Sequence, residues 1–147
     1  MTLKHAAFTA GMAEAHLAKL AALGRDVAFQ EGQLILSTGE RSTRFYLLLS
    51  GSACIEVRAP FYTVCVQVLR PGEAFGWSSF LDHSDTLFQV RAREASNAMC
   101  WDGAQLSAMC LKDRELGLEL HRRLLGLVAG RLKATEAKLA EFCAVRE

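Results

Sequence analysis

The feature that most constrains the fold is a strict alternation of apolar and other residues in the middle of the chain. Ala53, Ile55 and Val57 occupy every second position of one run. The alternation resumes after Pro60 in the segment 62–68, where tyrosine and valine take every second position. Successive side chains of a β-strand point to opposite faces of the sheet, so this pattern predicts half-buried antiparallel strands.

Other short apolar runs have the lengths of strands and are bounded by glycine or by polar turns. They cover residues 33–37, 45–49, 88–92 and 97–101. In the third run we expect Phe88, Val90 and Ala92 to face inward and Arg91 to face outward. Six or more short strands at this spacing predict a mainly β fold, an antiparallel jelly roll or barrel.

Helices are predicted at both ends of this β-rich region. Alanine and leucine between Met12 and Leu23 favour a first helix, which Gly24 would end. Asp102 is a suitable N-cap for a short helix through Met109, and Asp113 for a last helix.

The last helix, predicted over 113–142, carries a heptad pattern. Apolar residues recur at alternating steps of three and four, which is typical of a coiled-coil seam. This heptad seam consists of Leu118, His121, Leu125, Val128, Leu132, Thr135, Leu139 and Phe142. A helix of about 30 residues is ~45 Å long, so we expect part of it to project and form a homodimer. The alternative is a helix that packs only on its own β-rich body.

The chain is predicted to form a single domain. Its 147 residues, 51% of them hydrophobic, suffice for one core but not comfortably for two. Residues 1–30 are predicted to be an N-terminal helical segment, 31–102 the β-barrel, and 103–147 the short helix followed by the long one.

Composition excludes several classes of function. The net charge of +1 gives no basic surface for direct nucleic-acid binding. No apolar run is long enough to cross a membrane, and no leader pattern is visible, so we expect a cytoplasmic location. The five cysteines are odd in number and scattered, which favours free, buried thiols over disulfides. We predict no metal site, and no arrangement of residues that indicates an enzyme.

The segment Pro71–Leu81 carries the strongest local signal. It places Gly76 between a short apolar stretch and the small polar residues Ser78 and Ser79. Glycine permits a tight turn and a close approach of the backbone to a ligand. Free N–H groups at the start of a following helix would form an anion site. A plain turn between two strands is the other interpretation.

The order of these segments resembles the cyclic-nucleotide-binding domain family, including the sensor domain of catabolite-activator and FNR-type regulators. The resemblance covers about residues 5–142 and rests on "FYLLLSGSACIEV", "LRPGEAFGWSSFL" and "FQVRAREAS". It implies an antiparallel jelly-roll barrel with helices at one side. It also implies that residues 71–81, called the cassette segment below, form the phosphate-binding cassette.

The resemblance implies a binding site with two departures from the family's pattern. Phe75 and Gly76 match the cassette, but Trp77 stands where the family has a glutamate for the ribose hydroxyl. Thr86, with Asp85 before it, stands where the family has an arginine for the phosphate. Losing two charge-assisted hydrogen bonds weakens binding by roughly a hundredfold to ten-thousandfold.

Other residues could complete or close the site. Arg91 is a candidate substitute for the missing arginine, although we expect it on the outer face of its strand. Thr135 corresponds to a threonine that faces the nucleotide base in the activator protein, but it is equally a polar residue of the heptad seam. Trp77 could stack on a planar ligand or fill the space that a nucleotide would occupy.

The sequence therefore predicts a non-catalytic, ligand-sensing regulatory module without a DNA-binding domain, since only five residues follow Phe142. The ligand would be a cyclic nucleotide or another small anion, and no other cofactor is expected. The alternative is a degenerate family member that binds no nucleotide and acts as a dimerising scaffold for a protein partner.

Overall fold

The computed structural model describes residues 1–39, 42–81 and 88–145. The strands are β1 (Arg25–Phe29), β2 (Leu34–Leu36), β3 (Arg44–Ser50), β4 (Ala53–Arg58), β5 (Thr63–Leu69), β6 (Ala74–Phe75), β7 (Phe88–Ala92) and β8 (Ser96–Asp102). A 3-10 turn (Leu3–His5) precedes the helices α1 (Glu14–Leu23), α2 (Ser78–Leu81), α3 (Gly103–Lys112) and α4 (Arg114–Val145).

The strands form two four-stranded antiparallel sheets. Their orders are β1-β8-β3-β6 and β2-β7-β4-β5. Between the described strands no pairing joins one sheet to the other, so the body is a jelly-roll-like sandwich of two sheets rather than a closed barrel. This confirms the predicted mainly β architecture with helices at one side.

Strand β3 lies at the centre of the packing because both of its faces are buried. Phe45 and Leu47 pack toward the helices, whereas Tyr46 and Leu48 pack between the two sheets. These four consecutive side chains are 0–6% exposed. A strand covered on both faces needs apolar residues at every position, which explains the unbroken run that the sequence shows here.

The sequence predicted that residues 1–30 form a helical segment, but the structure also places a strand there. Helix α1 begins at Glu14 rather than Met12, and Arg25–Phe29 forms β1, paired with β8. Only Val27 and Phe29 of this edge strand are half-buried against the core, and alternation over so few residues is too short to predict a strand. Its conformation is fixed by pairing with β8 rather than by local pattern.

The predicted caps of the last two helices are present. The Asp102 side chain accepts a hydrogen bond from the Gln105 N–H (3.0 Å), and α3 then runs on to Lys112, three residues beyond the predicted end. The Asp113 side chain accepts one from the Leu116 N–H (3.2 Å). Such bonds satisfy amide donors that have no partner within the helix.

Helix α4 is anchored to the body through its first third. Leu116, Leu120 and Leu124 are buried against the helix-side core. Among the described side chains of α4, none after Leu124 is buried. At 32 residues the helix is ~48 Å long, so most of its length extends beyond its anchor.

The prediction that all cysteines are free and buried is wrong for three of them. Cys54 and Cys65 form a disulfide with their Cα atoms 5.8 Å apart, and Cys143 is exposed. The bond joins the neighbouring strands β4 and β5, whose register includes a bulge. Cysteine spacing does not reveal a strand register, so the pairing could not be inferred from it. Cys100 and Cys110 are free and buried, as predicted.

The disulfide can be tested by alkylation. Protein that is denatured without reductant and treated with an alkylating reagent should take up three alkyl groups. After reduction it should take up five. Cys54→Ser should raise the unreduced count to four by freeing Cys65. It should also lower the free energy of unfolding by roughly 3 kcal/mol, because the unfolded chain is no longer restricted by a cross-link between residues 11 positions apart. Five adducts without reduction would contradict the bond.

Candidate functional site

The cassette segment folds into a tight turn that requires glycine. Gly76 has φ of 81°, and a Cβ added there would lie 2.6 Å from the backbone oxygen of Arg44. The Ser79 hydroxyl and N–H both donate to the Gly76 carbonyl, at 2.7 and 3.2 Å, and the Phe80 N–H donates to Trp77. Two amide donors at the start of α2, those of Ser79 and Phe80, are therefore already used within the turn.

A cavity of about 90 Å³ lies between the cassette segment, the second sheet and α4. The cassette segment contributes Phe75, Gly76, Trp77 and Ser78. Strands β2, β4, β5 and β7 of the second sheet contribute Leu36, Ile55, Val66, Gln67, Phe88 and Val90. Helix α4 contributes Arg131 and Thr135. This is the location that the sequence predicted for a ligand.

Five of the eight predicted site residues line the cavity, and two of the described ones, Ser79 and Arg91, do not. Ser79 is buried behind the turn, where its hydroxyl bonds to Gly76. Arg91 lies on the opposite face of β7 from Val90, where its Nε donates to Glu56 (3.2 Å) and its Nη1 to the Gly32 carbonyl (2.9 Å). Thr86 lies outside the described residues.

The outer face of this sheet explains why Arg91 does not substitute for the missing arginine. Glu56 also accepts a hydrogen bond from the buried Gln89 amide (2.8 Å). Strand alternation places Gln89 and Arg91 on one face and Val90 on the other. Arg91 therefore belongs to a polar network behind the wall of the cavity.

Trp77 forms part of the cavity wall beside the helices. It is half-buried and packs against the helix-side core. The neighbouring Phe75 ring stacks on Tyr46 of β3, with ring centroids 4.9 Å apart and planes 10° apart. The cassette segment is thus fixed to the central strand on one side and to the helices on the other.

Arg131 is the charged residue of the cavity that sequence reasoning missed. Its Nη2 donates to the Ala74 carbonyl (2.7 Å), and its buried Nη1 has no hydrogen-bond partner. Burial lowers the pKa of Arg131 to about 10, with Glu73 acting in the opposite direction, so the side chain stays charged at neutral pH. One signal was available, since Arg131 precedes Thr135 by one helical turn and so shares its face.

Thr135 faces the cavity rather than standing among the exposed leucines. It is half-buried, and its hydroxyl donates to the Arg131 carbonyl (2.9 Å). Its oxygen can still accept a hydrogen bond from a ligand.

The other positions of the heptad seam differ in exposure. Leu118, Leu125, Leu132 and Leu139 are 58–71% exposed, and Phe142 is 46% exposed. These side chains do not pack on the chain's own body. Val128 is half-buried, and the exposed His121 places its ring 5.0 Å from Phe80. Its Nδ1 lies 2.6 Å from the Gly117 carbonyl.

The described residues show no metal site, and one buried thiol is held in its protonated form. Within residues 1–39, 42–81 and 88–145, no three His, Cys, Asp or Glu side chains are grouped to hold a metal ion. Burial raises the pKa of the Cys110 thiol to about 11, which keeps it protonated and unreactive.

In the same ranges, no helix is both long and apolar enough to cross a membrane.

The family model described as "Cyclic nucleotide-binding domain" matches residues 26–113. The match spans more than half of the sequence, and the chain belongs to the cyclic nucleotide-binding domain family. No curated protein sequence matches it significantly.

Solved structures share the fold. A putative cyclic nucleotide-binding protein from Geobacter metallireducens GS-15 is 25% identical with a TM-score of 0.74, covering 86% of this chain and 92% of that one. Catabolite activator protein from Thermus thermophilus is 23% identical with a TM-score of 0.76, covering 92% of this chain but 62% of that one. A cyclic nucleotide-binding domain from Methylobacillus flagellatus is 15% identical with a TM-score of 0.82, covering 95% and 79%.

Two glycine substitutions should change stability in opposite directions. Gly76→Ala forces a side chain into a left-handed conformation against the Arg44 carbonyl, and we expect a loss of about 1–3 kcal/mol. Gly126→Ala, in the middle of α4, meets nothing within 4 Å and should gain about 0.5–1 kcal/mol from helix propensity. Urea unfolding measures both, and equal effects would contradict the described turn.

Proposed function

We propose that this chain is a non-catalytic, ligand-sensing regulatory module. The observation that carries the proposal is that one helix, α4, serves two surfaces. Arg131 and Thr135 line the cavity, while Leu132 and Leu139, within one helical turn of them, are exposed. A ligand that contacts both the cassette segment and α4 would favour one position of the helix over others.

Family membership supports a ligand of the cyclic-nucleotide type, and the cavity residues support weak binding of such a ligand. The wall holds Trp77 where the resembled cassette has a glutamate, and no arginine occurs between Arg70 and Arg91. The ribose and the phosphate would each lack a charged partner from the cassette segment. Ordinary binding of cAMP or cGMP is therefore not part of the proposal.

Restoring the family's side chains tests whether this cavity is a cassette with altered residues. Trp77→Glu combined with Thr86→Arg should raise affinity for cAMP by on the order of 10–100-fold per restored contact. The control is Trp77→Gln with Thr86→Gln, which changes size without adding charge. Calorimetry with cAMP and cGMP measures the gain. Wild-type binding as tight as that of the restored variant would contradict the proposed loss of cyclic-nucleotide recognition.

Self-association through the heptad seam is the second part of the proposal. Four leucines spaced seven residues apart, all more than half exposed, form an apolar row along α4 that does not pack on the chain's own body. A second copy of the chain supplies the matching row by symmetry. No nucleic acid or membrane is expected to take part.

We expect a dimer by light scattering at micromolar concentration. Leu125→Glu and Leu132→Glu should each yield a folded monomer, because they place charges in the apolar row. Ala137→Glu, an exposed position of the same helix outside the seam, is the matched control and should remain dimeric. A wild-type monomer at this concentration would refute self-association.

A dimerising scaffold that binds no ligand is the second candidate, and Trp77 favours it. This side chain occupies part of the site, and the remaining cavity is small. The scaffold predicts the same dimer but no thermal shift with cyclic nucleotides or small anions at millimolar concentration. Any saturable shift that Arg131→Gln weakens would exclude it.

The cytoplasmic location stays a prediction. The Cys54–Cys65 disulfide counts against it, because such bonds are rare in reducing compartments such as the cytoplasm.

A further inference from the structure

The cavity is too small for a nucleotide as it stands. Its volume is about 90 Å³, whereas pockets for drug-sized ligands measure roughly 300–1,000 Å³. An apolar cavity that holds benzene measures about 150 Å³. A ligand with a single ring or a short branched chain therefore needs only a modest expansion, while base, ribose and phosphate together need the wall to open.

The wall chemistry selects an apolar molecule. Trp77, Phe88, Ile55 and Val90 present rings and aliphatic groups to the cavity. Burial of apolar ligand surface against such groups is the main source of affinity in sites of this kind.

Arg131 supplies one positive charge at the edge of this apolar wall. Its Nη2 is engaged by Ala74, and its Nη1 is buried without an acceptor. A buried donor without a partner is costly, and a carboxylate placed there would satisfy it with a charge-assisted bond. Arg131 lines both this cavity and the neighbouring groove, whereas Glu73 borders only the groove. A doubly charged phosphate monoester would bring a second charge that the cavity leaves unpaired.

We propose that this cavity binds a small monocarboxylic acid with an apolar body, its carboxylate on Arg131 and its body against Trp77. The inference rests on the proposed function, because it names the ligand class of the same site. It also gives Trp77 a role: the ring supplies contact surface for the apolar body in place of an acceptor for a sugar.

Matched pairs of probes test the charge. Benzoate and isovalerate carry the carboxylate, and benzamide and isovaleramide have the same shape without charge. Calorimetry on the full chain should show each acid binding at least tenfold more tightly than its amide. Arg131→Gln should reduce acid affinity by about 10–100-fold and remove the preference, whereas Arg122→Gln, an exposed arginine of the same helix, should change neither.

Tryptophan fluorescence tests the location. The chain has two tryptophans, Trp77 in the cavity wall and Trp101 in the helix-side core. Binding of benzoate should change the emission of wild type and of Trp101→Phe, but not that of Trp77→Phe, which should still bind by calorimetry. An emission change that survives in Trp77→Phe would overturn the assigned location.

Three other outcomes decide the proposal. Equal affinity for acid and amide overturns the role of Arg131. This comparison uses the wild-type protein, so it can be made even if Arg131→Gln does not fold. Tight binding of cAMP without binding of the acids overturns this inference but leaves the ligand-sensing function intact. No binding of any probe at millimolar concentration overturns both and favours the scaffold.

Discussion

The burial of both faces of β3 is the constraint on which the rest of the structure depends. Phe45 and Leu47 hold the helices against the first sheet, and Tyr46 and Leu48 hold the second sheet against its other face. Each fully buried side chain of this size contributes about 1.5–3 kcal/mol. The cassette segment is placed by the same strand, because β6 pairs with it at Tyr46 and Leu47. The core and the candidate site therefore share one structural origin.

The candidate site differs from the resembled pattern mainly in where its charge comes from. The cassette segment provides rings and hydroxyl groups, and the positive charge comes from Arg131 on α4. In such an arrangement the charged contact of a ligand falls on the helix that extends beyond the body rather than on the sheet. A ligand that bound Arg131 would then position α4 by the same contact through which it is recognised.

Much of the fold follows from patterns that depend on near neighbours in sequence. Alternation revealed β4 and β7, and Asp102 and Asp113 marked helix starts that the structure confirms. The location of the cavity could be predicted because it lies at the cassette segment, whose glycine turn is a local feature of the sequence. What the sequence missed depends on contacts between distant residues: β1 exists through β8, and the disulfide depends on strand register.

The individual side chains of the site were harder to predict than its place. Arg91 was considered because of its type, and strand alternation sends it to the outer face. Arg131 was overlooked because its importance arises only when α4 lies beside β6, 57 residues away along the chain. The ligand role of these residues and the dimer remain predictions.

The uneven anchoring of α4 has a consequence for how strongly a small ligand can act. Leu116, Leu120 and Leu124 fix the first third; beyond them Leu127 packs only partly, and Gly126 and Gly130 offer no side chains. The distal part touches the cavity through Arg131 and Thr135. Segments with so few buried contacts open locally at a small fraction of the global unfolding free energy. A ligand that contacted Arg131 and Thr135 would therefore add its binding free energy, about 4 kcal/mol at millimolar affinity, to the part of α4 that has no buried side chains of its own.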